Sequence, residues 1–155
     1  MKRLLKTLML AIAGVAMSAT AADACTNFIV TKGASTDGSA MVTYAADSHS
    51  LYGVLYSHIP GKYTEYIDVT EWDSGRYLGK IKQVPTTYRT LGNSNEHSLF
   101  ITETTFGGRP ELEDPKGGID YGSLIYITLQ RAKTAREAIA IIVDLANTYG
   151  YASSG

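Results

Sequence analysis

The chain has 155 residues, 45% of them hydrophobic and 19% charged, with a formal net charge of −1. That length holds one domain with a core of ordinary size. The near-neutral balance, with no basic run, excludes the electrostatic footprint of a nucleic-acid binder, and the single cysteine excludes an internal disulfide framework.

Residues 1–24 read as a secretory leader. Lys2, Arg3 and Lys6 form a basic start, Leu8 to Ala16 an apolar run, and Ala22-Asp23-Ala24 a small-x-small cleavage signal. The apolar run is too short and wrongly flanked for a membrane span, and no later stretch reaches the length one needs. The leader predicts export to the periplasm or the extracellular medium. Residues 25–155 then carry 11 bases against 14 acids.

Cleavage after Ala24 makes Cys25 the first residue of the mature chain. A thiol and a free α-amine then share one residue, a nucleophile and a general base together. In model peptides such an amine titrates near about 8 and a thiol near about 8.5, so proton transfer between them is nearly balanced. Two other readings stand beside this one. An isolated cysteine can be a small buried hydrophobe, or it can carry a lipid anchor. The lipoprotein pattern asks for an apolar residue three places before the cysteine, often Leu, where Ala22 stands, and Asp23 interrupts it.

Cys25 to Lys32 reads as a strand, Gly33 to Gly38 as turn chemistry with a strong Asp37-Gly38 hairpin signal, and Ser39 to Ala45 as the returning strand. Tyr, Thr and Val crowd residues 51–92. Leu51–His58, Tyr66–Val69 and Lys80–Tyr88 are expected strands, broken at Pro60-Gly61 and Ser74-Gly75. The tyrosines suit half-buried sheet better than a carbohydrate-binding platform. Ser98 to Thr105 is a further expected strand. Residues 109–118 form a Pro/Gly loop whose acids Glu111, Glu113 and Asp114 read as a solvated face.

From Asp120 the period becomes helical. Tyr121 to Lys133 is one helix and Thr134 to Tyr149 a second. The second opens with a Thr134/Glu137 capping box, carries an apolar stripe of Ile139, Ile142, Val143 and Ala146, and stops at Gly150. Strands followed by adjacent helices predict an α+β fold with helices on one face of a mostly antiparallel sheet. The other face would be bare, so the chain reads as the N-terminal portion of a larger domain.

No other chemistry competes in the sequence. His49, His58 and His97 lack metal-site spacing, and neither a phosphate-binding Gly loop nor a nucleophile elbow is present. No cofactor or metal is expected.

Cys25 to His49 (CTNFIVTKGASTDGSAMVTYAADSH), Gly92 to Gly108 (GNSNEHSLFITETTFGG) and Tyr121 to Ile139 (YGSLIYITLQRAKTAREAI) together resemble the cysteine dipeptidases of the N-terminal-nucleophile hydrolase superfamily. The resemblance runs from Cys25 to the end. It implies an αββα sandwich, of which residues 25–155 are the N-terminal part, and hydrolysis of peptide bonds in short peptides. It carries Cys25 over as nucleophile and Asp47 as the group that orients or tunes its amine. Many relatives have Arg three residues before that Asp. Here Tyr44 stands there, which changes the pocket's electrostatics because Arg is a fixed cation and Tyr is not. The resemblance implies substrate-binding roles for Tyr44, for Asn95, with a structural role as its alternative, and for Thr104 and Thr105, which fall in the strand where relatives approach substrate. Oxyanion-hole donors would lie beyond Gly155. An acylase acting on bile-acid or penicillin-type amides is the second reading, and a secreted or lipid-anchored surface protein the third. Self-association is left open.

Overall fold

The computed structural model describes residues 25–47, 52–63, 65–104 and 108–153. The expected leader, His49, Leu51 and Thr105 lie outside these residues. Within them the chain is mixed α/β, with small antiparallel sheets and two helices.

β1 (Thr26–Val30) pairs antiparallel with β2 (Met41–Ala45), placing Asn27 opposite Tyr44 and Ile29 opposite Val42. The expected hairpin is present, but its connection spans residues 31–40 rather than a two-residue turn. Asp37 closes the loop by accepting the Ser39 amide on Oδ1 at 2.9 Å. Gly38 has φ +75°, a backbone state that a side chain would strain.

β3 (Ser57–His58), β6 (Thr90–Leu91) and β7 (Ser94–Asn95) form a second sheet in the order β3-β6-β7. β4 (Tyr66–Thr70) and β5 (Tyr77–Lys82) form a third, with a register shift at Val69/Thr70. Gly79, opposite Val69, has φ +147° and accommodates that irregularity. The expected Ser74-Gly75 break is the β4–β5 turn, where Gly75 donates to the Glu71 carbonyl at 2.8 Å.

Several expected elements are shorter or displaced. Among the described residues of the expected strand 51–58, only Ser57–His58 form a paired strand. The strand expected at Lys80–Tyr88 begins at Tyr77 and ends at Lys82, because the following segment turns through Pro85. Among the described residues of 98–105, pairing is confined to a bridge from Phe100 to Ser94. Among the described residues the strands form three small sheets, antiparallel as expected, beside the two helices.

α1 (Tyr121–Leu129) starts at Asp120, whose side chain accepts the Ser123 amide. α2 (Ala135–Tyr149) has the expected capping box, Thr134 and Glu137 each bonding the other's backbone, and ends at Gly150 with φ +75°. Its buried face differs from the expected stripe. Ala138 and Leu145 are buried, whereas Ile139 and Val143 are 64% and 54% exposed. Several apolar positions repeat at helical spacing on this element, and packing against α1 and β4–β5 selects the face one step round the helix. One core cluster joins Val69, Ile81, Ile119, Ile127 and Leu145. A second joins Leu99, Ile125, Leu129, Ala132 and Ala138, and Ile141 packs against both. α1 thereby fixes β4–β5 on one side and the 99–101 segment on the other, which positions the wall of the cavity described next. No described helix is long and apolar enough to cross a membrane.

Candidate active site

Strand alternation places Cys25, Asn27 and Asn27's cross-strand partner Tyr44 on one face of the hairpin. All three bond the same residue, Glu103. The Cys25 thiol donates to Glu103 Oε1 at 3.0 Å, and the Tyr44 hydroxyl donates to the same oxygen at 2.8 Å. Asn27 Nδ2 donates to the Glu103 carbonyl at 2.6 Å. Thr104 Oγ1 donates to the Cys25 carbonyl at 3.3 Å, so the segment 103–104 grips both the backbone and the side chain of Cys25.

Burial first, and the bond to Glu103 second, push the Tyr44 hydroxyl far above its ordinary range. It therefore stays a donor across the pH range in which proteins work. Tyr121, at the first turn of α1, is raised in the same direction by burial and by its 2.8 Å bond to Asp73.

These groups open on a cavity of about 680 Å³. One wall is aromatic: Trp72 stacks on Tyr126 with centroids 4.4 Å apart and meets Tyr56 edge-on at 4.6 Å. Asp120 holds this wall to α1. It is 1% exposed, caps the helix through Oδ1 and accepts the Trp72 amide on Oδ2 at 2.8 Å. Cys25, Tyr44 and Asp47 also line the cavity. Six of the described lining residues are Asp or Glu, and none is Lys, Arg or His. Among the described residues no group of His, Cys, Asp and Glu stands close enough to hold a metal ion.

Of the residues singled out from the sequence, Cys25, Tyr44 and Asp47 meet at this cavity, and Thr104 bonds Cys25 from behind. Asp47 is exposed on the rim, and the carboxylate bonded to the thiol belongs to Glu103. Asn95 does not line the cavity. It is buried and fully engaged, with Nδ2 donating to the Leu129 and Ala132 carbonyls at 2.8 and 2.7 Å and Oδ1 accepting the His97 and Leu99 amides at 3.0 and 3.3 Å. It closes the C-terminal end of α1 onto β7. Of the acids read as a solvated loop, Glu111 pairs with Arg109, and Glu113 reaches the cavity.

Glu103 and the aromatic wall were not singled out as site residues. A signal for Glu103 existed: it is an acid inside the apolar, β-branched run 98–105, where a charge is costly unless partnered.

Compared with family models, residues 49–155 match the model described as Peptidase family C69. The match takes in the aromatic wall and Glu103, and the hairpin bearing Cys25 precedes it. Searches of curated proteins and of solved structures found no match.

Proposed function

The chain belongs to peptidase family C69, hydrolases that act on peptides, and from that premise we propose an exported dipeptidase in which mature Cys25 is the nucleophile and its own α-amine the general base. The observation that carries the reading is the position of Cys25, the only thiol in the chain, on the wall of the large cavity formed with the family-matched segment. The leader pattern ending at Ala24 supports a free amine on the same residue. The αββα sandwich belongs to this proposal too, on the strength of the resemblance and of the antiparallel pieces beside a helix pair.

The chemistry balances without a cofactor. The amine takes the thiol proton, and the thiolate attacks the scissile carbonyl. The tetrahedral species collapses to a thioester as the C–N bond breaks, and the ammonium returns its proton to the leaving amine. Water, deprotonated by the same amine, then hydrolyses the thioester and restores the thiol. Before leader removal that nitrogen is an amide and no base, so export and activation coincide.

The aromatic wall of Tyr56, Trp72 and Tyr126 favours a second reading, an acylase that seats an apolar acyl group there.

The test is terminal sequencing and intact mass of the exported full-length protein, followed by a panel of dipeptides and acyl-amides. A free Cys25 amine with dipeptide turnover that disappears in Cys25→Ala is the expected result. A lipid-modified Cys25, a different start or turnover retained in Cys25→Ala overturns the proposal. Turnover confined to acyl-amides moves it to the second reading.

A further inference from the structure

We propose that Glu103 is the counter-ion for the substrate's free α-ammonium, and so the residue that makes this site an exopeptidase site for unblocked peptides. The inference rests on the reading of Cys25 as nucleophile and adds the residue that reads the substrate's amino terminus.

The argument is one of reach. In a peptide with a free amino terminus, the ammonium nitrogen is two bonds from the first carbonyl carbon, about 2.5 Å away given standard backbone dimensions. A carbonyl poised for attack stands about 3–3.5 Å from the nucleophile. The ammonium therefore lies within about 6 Å of the sulfur. A charge-assisted N–H···O bond spans about 2.7–2.9 Å, and Glu103 Oε1 is 3.0 Å from Cys25 Sγ. The triangle of sulfur, carboxylate oxygen and ammonium nitrogen closes without moving the backbone. Tyr44 bonds the same oxygen at 2.8 Å, and Asn27 holds the Glu103 carbonyl at 2.6 Å, so the carboxylate is fixed before substrate arrives. The acidic lining adds a field that favours a cationic end.

The placement also couples recognition to chemistry. A thiolate next to a carboxylate is disfavoured by like charge. An ammonium that takes the thiol's place on Oε1 brings a positive charge beside the sulfur at the moment the thiol must ionise. An N-acylated peptide brings no such charge and adds bulk at the same point, so it loses turnover as well as binding.

The test compares L-alanyl-L-alanine with N-acetyl-L-alanyl-L-alanine on the full-length protein with a free Cys25 amine. The wild type is expected to prefer the free peptide in kcat/KM by at least about 100-fold. In Glu103→Gln that ratio falls below about 5-fold, and Glu103→Asp keeps an intermediate ratio. A merely structural role for Glu103 would lower both substrates together and leave the ratio intact, which overturns the proposal, as does a wild type that cleaves both peptides equally. Calorimetric binding of the two peptides to Cys25→Ala reads the same discrimination without turnover. Loss of selective binding when Glu103→Gln is added supports Glu103 even if Cys25 is not the nucleophile, and binding without preference overturns it.

Discussion

Glu103 Oε1 accepts a hydrogen bond from Cys25 Sγ at 3.0 Å across 78 residues of sequence, and the same oxygen accepts the Tyr44 hydroxyl at 2.8 Å. This contact ties the start of the described chain to the segment behind the second sheet. The Tyr44 hydroxyl is a neutral donor on that carboxylate. Tyr44 thereby holds the Glu103 carboxylate beside the thiol without adding a charge of its own. An Arg at position 44 would consume the carboxylate's charge in a bidentate pair.

Removing the donor tests this arrangement directly. Tyr44→Phe takes away a bond to a charged acceptor, an interaction of about 1.5–3 kcal/mol. We expect kcat/KM for a free dipeptide to fall about 10-fold or more, while the preference for free over acetylated peptide survives because the carboxylate remains. Steady-state kinetics on both peptides reads the outcome, and an unchanged kcat/KM would show that Tyr44 does not hold Glu103 in place.

Asn95 provides the contrasting case. All four of its hydrogen-bonding positions are spent on backbone groups of Leu129, Ala132, His97 and Leu99. Asn95→Ala leaves two buried carbonyls and two amides unmatched, at about 1–3 kcal/mol for each group that water cannot reach. The melting temperature is expected to drop by about 10 °C or more for a chain of this size, while KM measured well below the transition stays unchanged. A KM effect with no loss of stability would return Asn95 to the substrate.

The hairpin was legible because its strands are consecutive and its β-branched alternation is local. The α2 capping box and the Gly150 stop were legible for the same reason, since each depends on residues within one helical turn. The buried face of α2 was not, because Ile139, Ile142 and Val143 compete with Ala138, Ile141 and Leu145 and only tertiary contacts choose between them. Cys25, Tyr44 and Asp47 were nominated together by chain position and resemblance, and they do share a cavity. An acid inside the apolar run 98–105 marks Glu103 as a residue that needs a partner, but only the 78-residue closure shows that the partner is Cys25.

Gly122 stands where α1 meets the aromatic wall. A Cβ there would lie 2.5 Å from Trp72 Cβ and Cγ. The helix backbone is held by Asp120 on one side and the core on the other, so Gly122→Ala must displace the indole. Overpacking of this kind costs about 1–3 kcal/mol. Because Trp72 is the only tryptophan, its fluorescence reports the displacement, and dipeptide turnover should fall along with the spectral change. A variant with wild-type emission and melting would contradict this packing.

Burial lowers the ionisation of His58 from its ordinary 6.5. Its Nε2 lies 2.8 Å from Thr87 Oγ1, which also accepts the Gly61 amide at 3.1 Å. The unfolded chain then binds the proton more readily than the folded one, so this contribution to stability is complete above about 6.5 and is lost as pH falls from there through the lower folded value. Thermal melts between pH 7.5 and 5 should show the midpoint falling on acidification, and His58→Gln should flatten that slope. An unaltered slope would assign the pH dependence to other groups.

The last prediction concerns the first residue of the mature chain. Thr104 Oγ1 holds the Cys25 carbonyl while Glu103 holds its thiol, so the nucleophile is fixed from two directions, and the proposed mechanism assigns the base to its nitrogen. Placing one alanine ahead of Cys25 leaves both contacts available and changes that nitrogen into an amide. The thiol then loses the adjacent amine, the base on which the proposed mechanism depends. We expect kcat to fall by at least about 100-fold, the scale of a lost general base, with little change in dipeptide affinity or melting temperature. Single-turnover kinetics on the extended and native forms separates the cases: slowed thioester formation at unchanged affinity locates the base on the Cys25 nitrogen, whereas full activity of the extended form would move the base to a side chain, with Glu103, which accepts the thiol's hydrogen bond, the first to examine.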